Sequence, residues 1–505
     1  GAPTILRPAT PGKSVVLTLD ATIQYFAEKE IEAAWRRTRA KSAMAVVLDP
    51  RTGELLAVAI RPTFNPNRFT AAAPDEWRNR AVTDPFEPGS TFKAILAATA
   101  LDEGVASLGD RFYGEQGSIT VANTVIHDWK KYGWLTFSEV LQHSSNVGAI
   151  KLGFQVGRER YARYISAFGF GSLSGVGLPG ESRGQVRPPE RWSGLSLATM
   201  SIGQEISVTA LQMVSAFAAV ANGGRLLQPR VVRELLDAQG REVEGFKPRV
   251  VRQVISPDTA RTLAGVLTRV VSDGTGRKAT IAGYEVAGKT GTAQKLDPAT
   301  HRYSRAPGVL SFVGFVPADD PRIAMLVLLD EPRTAKWGSE AAAPIFAAIG
   351  REILRYLNVP PRDTQLVQLV RSADPAPAKG GGPQAGREIN AGRPQAGREI
   401  NAGGPQAGRE MMPGEPVTRV VDAEPIMPDL MGLSLRGALA TLALYDVRVE
   451  VGGRGVVVAQ RPTAGAQIQP GMNCRLDLAP SAAGLGWGAK GWGTAGRAGD
   501  DAGAG

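Results

Sequence analysis

The sequence predicts an α+β protein: an antiparallel sheet flanked by helices, with a helical block inserted between its two halves and a small second module after it. Three observations carry this expectation. Strand and hairpin patterns crowd residues 14–60, strand patterns return at 284–329, and the stretch between, 90–270, is mainly helical in its periodicity. A sheet assembled from both ends of a domain leaves the intervening helices to cover it, and a cleft where block and sheet meet.

Taken in order, residues 14–19 (Ser-Val-Val-Leu-Thr-Leu) read as a strand that joins this sheet. Asp20 then caps a helix running to about Thr38, with Ile23, Phe26, Ala27 and Ile31 at helical spacing. Met44–Leu48 and Leu55–Ile60 read as a hairpin across the turn Asp49-Pro50-Arg51-Thr52-Gly53. The remaining strands are Tyr284–Ala287 with Lys289–Gln294, Ser311–Val316 and Ile323–Leu329, and a helix follows at Glu340–Leu357.

Within the block, Glu87-Pro88-Gly89 is turn chemistry, and Phe92, Ile95 and Leu96 then fall on a core-facing stripe, so Ser90 is expected to open a buried helix. Ser90 and Lys93, three residues apart, share a face at about 5–6 Å between Cβ atoms. An amine in that place can accept the hydroxyl proton once burial and neighbouring positive charge depress its pKa. The first-turn amides and the helix dipole favour negative charge developing there. A lone Ser-x-x-Lys is weak evidence, since about one or two chance matches are expected in a chain of this size.

Two further elements strengthen it. Ser144-Ser145-Asn146 lies between helical patterns, and Lys289-Thr290-Gly291-Thr292 lies on a strand. Gly291, lacking a Cβ, would let an extended peptide lie close against that strand and pair with its edge. His127, Asp128 and His143 stay outside the expected site, because none has a recognisable partner in the sequence and the lysines already supply a base.

Composition narrows the alternatives. At 505 residues and 43% hydrophobic content the chain can bury sizeable cores. One cysteine, Cys474, excludes an internal disulfide framework, and three histidines without ligand spacing argue against a metal; no cofactor is expected. The net charge of +10 is spread along the chain, which argues against nucleic acid and suits either an anionic wall or lipid surface or plain solubility. No apolar run reaches membrane length, and the chain begins at Gly1 without a methionine or leader pattern, so a fragment is expected.

The domain expected at 1–371 gives way to a Pro/Gly/Ala-rich linker at 372–423, with an 11-residue repeat starting at Pro383 and Pro394 and a truncated copy at Pro405. The second module spans 424–480: a helix with Leu435, Ala438, Leu439 and Leu442 on one face, a strand Val447–Val451, a turn at Pro462–Gly465, and a strand with Cys474, Leu476 and Leu478 on one side. A Gly/Ala-rich tail, 481–505, is expected to be disordered.

Ser90-Thr-Phe-Lys93, Ser144-Ser-Asn146 and Lys289-Thr-Gly-Thr292, in that order, resemble the transpeptidase domain of class B penicillin-binding proteins. Ile202–Gln212, Ala221-Asn222-Gly223-Gly224 and Phe312-Val313-Gly314-Phe315 extend the likeness over roughly residues 14–357. Met427-Pro-Asp-Leu430-x-Gly432 and Gln460-Arg-Pro462-x-x-Gly465 resemble a PASTA domain, a small βαββ module associated with wall-synthesis enzymes. One departure is Lys336-Trp337-Gly338-Ser339, where the family leads one to expect aromatic-Gly-Gly.

The resemblance implies a peptidoglycan D,D-transpeptidase acting on stem peptides through a serine acyl-enzyme and acylated by β-lactams. It further implies an extracytoplasmic place, membrane attachment through an N-terminal segment outside this sequence, and partners among other wall-synthesis proteins, in septal or spore cortex assembly. Ser90 would be the nucleophile, Lys93 the base, Ser144 the proton relay, Asn146 a donor to Lys93 or the substrate amide, and Lys289 a source of positive potential. Thr290 and Thr292 would hold the substrate carboxylate, and the amides of Ser90 and Thr292 the oxyanion. A β-lactamase or carboxypeptidase would use the same trio with water as acceptor, but no glutamate can be assigned to activate it. A β-lactam sensor would acylate without turnover, and a wall-binding scaffold would leave Ser90 inert.

Overall fold

The computed structural model describes residues 12–296 and 303–361 and, in a second unit, 427–479 other than 432, 434, 443–446, 454–455 and 470. The expected linker at 372–423 and tail at 481–505 lie outside the described residues.

The first unit is built on a five-stranded antiparallel sheet drawn from both ends of the domain. Its strands are β1 (Ser42–Leu48), β2 (Leu55–Arg61), β3 (Ala287–Leu296), β4 (Tyr303–Val316) and β5 (Ile323–Asp330), in the spatial order β3-β4-β5-β1-β2. β3 is therefore an edge. Period-2 alternation splits β1 cleanly: Met44, Val46 and Leu48 enter one apolar core while Ala43, Ala45 and Val47 enter the other. Helices α1 (Ala21–Thr38) and α5 (Gly338–Tyr356) close the second core, and the helical block closes the first. Both faces of the sheet are thus covered, which explains why β5 is apolar at nearly every position.

Asp20 caps α1 as its sequence demands, its carboxylate accepting from the amides of Thr22 and Ile23. Two expectations change. Ser14–Leu17 does not join the central sheet; it pairs antiparallel with Val232–Leu236 in a small separate sheet. The inserted block also holds short two-stranded pairs, 111–113 with 134–136 and 118–121 with 124–127, among its helices. Strands of three or four residues fall below what periodicity can detect.

In the block, α2 (Lys93–Asp102) is buried on nearly every side and packs against α4 (Asn146–Val156) and the helix Pro257–Ser272. Phe92, just before α2, is fully buried between Tyr161 and Phe170, with ring centroids 6.2 and 5.1 Å away.

In the second unit a helix, Leu435–Leu442, precedes Val447–Gly453, Val456–Arg461 and Met472–Ala479. The last strand is central, parallel to the first and antiparallel to the second. Ala438, Leu442, Cys474, Leu476 and Leu478 are buried as their spacing predicts, but Leu439 faces outward. Val456–Arg461 is a strand the sequence pattern did not reveal.

Candidate active site

Ser90 lies in a single 3₁₀ turn, Gly89–Phe92, that runs directly into α2, so it precedes the helix instead of standing on its first α-helical turn. Gly89 and Gly203 make this geometry. Gly89 has φ +55°, and its amide donates to the Gly203 carbonyl at 3.0 Å. Gly203, at φ +80°, comes so near that a Cβ there would sit 2.0 Å from the Gly89 oxygen. Phe86 and Val208 exchange backbone hydrogen bonds at 2.9 Å on one side of the turn, and Glu87 accepts from the Glu205 amide at 3.0 Å. The Ile202–Gln212 stretch is thus the support on which the serine turn rests.

Lys93 is 1% exposed, and its Nζ donates to the Ser144 carbonyl at 2.6 Å and to Asn146 Oδ1 at 2.7 Å. Burial lowers its pKa to about 7, against the opposing pull of the Asp128 carboxylate. A neutral amine has two N–H bonds and one lone pair. With both N–H groups taken by those acceptors, the lone pair is left free to receive a proton.

Ser144 is held at φ +58°, a left-handed conformation uncommon outside glycine, at the junction of α3 (Phe137–Gln142) and α4. Its hydroxyl accepts from Lys289 Nζ at 3.0 Å and lies 3.4 Å from Lys93 Nζ, so it stands between the two amines. Lys289 is fully buried on edge strand β3, and its pKa lies well below the ordinary lysine value, first through burial and then through repulsion from Lys93. Hydrogen bonds therefore join Lys93, Ser144, Asn146 and Lys289 where the block meets the sheet edge, and Ser90 lies in the turn just ahead of Lys93 that packs on that edge.

Gly291 has a packing reason in addition to the one expected from the sequence. A Cβ there would meet Ser311 Oγ at 2.3 Å, the Thr91 methyl at 2.9 Å and the Pro88 carbonyl at 3.2 Å. The missing side chain lets the serine turn sit against β3. The two threonines also differ. Thr290 Oγ1 is buried and paired with Thr275 Oγ1 at 2.9 Å, while the half-buried Thr292 Oγ1 accepts from the Gly338 amide at 3.2 Å. At the departure from the family pattern, a Cβ on Gly338 would lie 2.3 Å from the Gly291 oxygen, so this glycine is required, with Trp337 exposed beside it.

Two contributors were missed. Thr275, in a turn bound to the end of α3 through Thr275 N to Gln142 O at 3.1 Å, carried no signal beyond a Gly-rich turn. Asp128, set aside as unpartnered, accepts from Ser145 Oγ at 2.7 Å, from the Val147 amide at 3.3 Å and from the Asn146 amide. Its partners lie 17 to 19 residues ahead, beyond the reach of local patterning.

A cavity of about 1100 Å³ opens beyond Ala293 and Gln294, between Glu87, Glu205 and Tyr303; Lys93 and Lys289 do not line it. Burial pushes the Glu87 carboxyl up, partly offset by its hydrogen bonds from Tyr303 and the Glu205 amide.

An antiparallel sheet with a helical block on one face and a serine turn against its edge strand is, as a class, the active-serine transpeptidase fold. The chain belongs to the penicillin-binding protein family: residues 43–351 match the penicillin binding protein transpeptidase domain and residues 425–479 the PASTA domain. It is 38% identical over 478 residues to Stage V sporulation protein D of Bacillus subtilis, covering 93% of this chain and 66% of that protein. It is likewise 38% identical over 364 residues to penicillin-binding protein PbpB of Mycolicibacterium smegmatis, covering 70% and 56%. The chain thus spans less than two thirds of the length of these relatives. Penicillin binding protein 3 from Mycobacterium tuberculosis, solved in complex with aztreonam, superposes with a TM-score of 0.67 at 36% identity, over 71% of this chain and 83% of that one.

Proposed function

We propose that this chain is a peptidoglycan D,D-transpeptidase that crosslinks stem peptides and is acylated by β-lactams. The observation that carries the reading is the buried Lys93 amine, with both its N–H acceptors in place and its pKa near neutrality, one 3₁₀ turn from Ser90. Ser90 Oγ attacks the penultimate D-alanine carbonyl as Lys93 takes the hydroxyl proton. The oxyanion is held by the amides of Ser90 and Thr292, where losing one donor typically costs about 10²–10³ in rate. The C–N bond breaks, and Ser144 passes a proton to the departing D-alanine amine. An amine of a second stem peptide then attacks the ester, the C–O bond breaks, and Ser90 recovers its proton.

Asn146 orients Lys93 through its carbonyl oxygen. Lys289, with the hydroxyls of Thr292 and Thr290, faces the substrate's terminal carboxylate, which supplies a counter-charge to this buried amine. Gly291 keeps β3 close enough to the serine turn for the peptide to add along the strand edge. Relatives named for sporulation in Bacillus subtilis and for D,D-transpeptidation in Escherichia coli support a septal or spore cortex role. An extracytoplasmic location, membrane attachment through a further segment, and partners among wall-synthesis proteins belong to the same proposal.

Labelling the chain with a fluorescent penicillin beside Ser90→Ala, then mapping the modified peptide, tests it. A stable label on Ser90 that the variant lacks is the expected result; equal labelling of both, or none on either folded protein, overturns it. Rapid turnover of a chromogenic cephalosporin would instead make it a β-lactamase. Crosslinking of stem peptides with an amine acceptor separates a transpeptidase from a sensor.

A further inference from the structure

Three consecutive residues, His127 at the end of the strand Thr124–His127 and the two loop residues that follow it, each grip the segment that carries Ser144 and Asn146. The His127 carbonyl accepts from Asn146 Nδ2 at 2.8 Å. The Asp128 carboxylate accepts from Ser145 Oγ at 2.7 Å and from the amides of Asn146 and Val147. Trp129 Nε1 donates to the His143 carbonyl at 2.9 Å. The loop itself is tied down where the Asp128 amide donates to the Gly117 carbonyl at 2.9 Å.

These bonds have a chemical consequence at Lys93. Because Asn146 Nδ2 is committed to the His127 carbonyl, its Oδ1 must face the amine, where it accepts at 2.7 Å. Asp128 also bonds the first amides of α4, so it fixes the helix end from which Asn146 projects. The charged groups facing Lys93 are Lys289, from β3, and Asp128, from this loop; Ser144 and Asn146 supply only neutral acceptors.

We propose that Asp128 is a positioning residue of the active site: it clamps the Ser144-Ser145-Asn146 segment against Lys93. The proposal rests on the reading of Lys93 as the base. It assigns Asp128 two separable effects. The clamp determines how fast the site acylates once Lys93 is neutral, because it places Ser144 and Asn146. The negative charge stabilises the Lys93 ammonium, opposing burial, and so keeps the amine from being neutral far below physiological pH. An acid at this position holds the site's working range near neutrality.

The experiment is the rate of fluorescent-penicillin acylation from pH 5 to 9.5 for the full chain and three variants. The wild type is expected to rise with pH through a midpoint near the Lys93 pKa of about 7. Asp128→Asn is expected to lower the plateau about tenfold or more and to move the midpoint down by roughly half a pH unit or more. Asp128→Glu, which keeps the charge but displaces the oxygens, is expected to lower the plateau with the midpoint in place. Ser145→Ala removes one strut of the clamp without changing charge, and is also expected to leave the midpoint in place.

A plateau unchanged in folded Asp128→Asn overturns the clamp, and an unmoved midpoint there, or a Ser145→Ala midpoint displaced as far as that of Asp128→Asn, overturns the electrostatic role. If Asp128→Asn does not fold, a downward midpoint in Asp128→Glu overturns it instead. A wild type that takes no label fails the transpeptidase reading itself, a result distinct from all of these.

Discussion

Lys93 shows how a single residue can set function against stability. An ammonium taken out of water is unfavourable, and burial brings the Lys93 pKa from its ordinary 10.5 to about 7. Between those two values the folded protein binds fewer protons at this site than the unfolded chain, so stability rises with pH across that window. Lys93→Met removes the titration. The melting temperature of wild type relative to Lys93→Met is therefore expected to climb between pH 7 and pH 9, by about 2 °C or more. Lys289 acts in the same sense, because losing its like-charged neighbour relaxes its own depressed pKa in the variant. Melting curves that run parallel over that range would show that Lys93 is charged in the folded protein at neutral pH.

At the scale of elements, the site depends on how closely the serine turn approaches edge strand β3. The contact surface at Gly291 consists of Thr91, Pro88 and Ser311, all held by their own backbone or core positions. Gly291→Ala places a methyl group 2.3 Å from Ser311 Oγ and 2.9 Å from Thr91 Cγ2, so strand and turn must separate by several tenths of an ångström. The expected result is a fall of tenfold or more in penicillin acylation, since sub-ångström displacement of a nucleophile from its oxyanion donors is costly. Stability is expected to drop by about 1–3 kcal/mol, as for other overpacked sites. Acylation unchanged from wild type would mean that the turn can shift without disturbing the nucleophile. The same tightness adds a reason the sequence could not show: a motif glycine invites a ligand-based reason, and only packing reveals that the serine turn also presses on this position.

For the whole molecule, every residue that the site brings together lies between Glu87 and Gly338, within the first unit, and both cores of that unit close between Ile23 and Val359. The second unit has its own small core around Leu430, Ala438, Cys474 and Leu476. Ending the chain at residue 361 is therefore expected to leave penicillin labelling of Ser90 within about twofold of the full chain and the main unfolding transition within a few degrees. Loss of labelling in the shortened, folded protein would assign the PASTA unit a part in building the site.

What the sequence by itself determined was everything encoded at short range. Short apolar runs marked β1, β2 and β5, and helical apolar periods marked α1 and α5, because a strand covered on both faces and a helix buried along one stripe each impose their pattern directly. Ser-x-x-Lys was legible because a hydroxyl and an amine three residues apart on a helix share a face. The order of the three motifs was legible as a family likeness. Tertiary structure decided the rest. That Lys289 reaches Ser144 across 145 positions of sequence, that Asp128 clamps the segment carrying Asn146, that Ser14–Leu17 joins a separate sheet, and that Gly291 yields to the serine turn all depend on chain segments far apart in sequence. A pKa near 7 for Lys93 has the same origin: the residue type supplies the amine, but only the packed interior removes the water that would keep it charged.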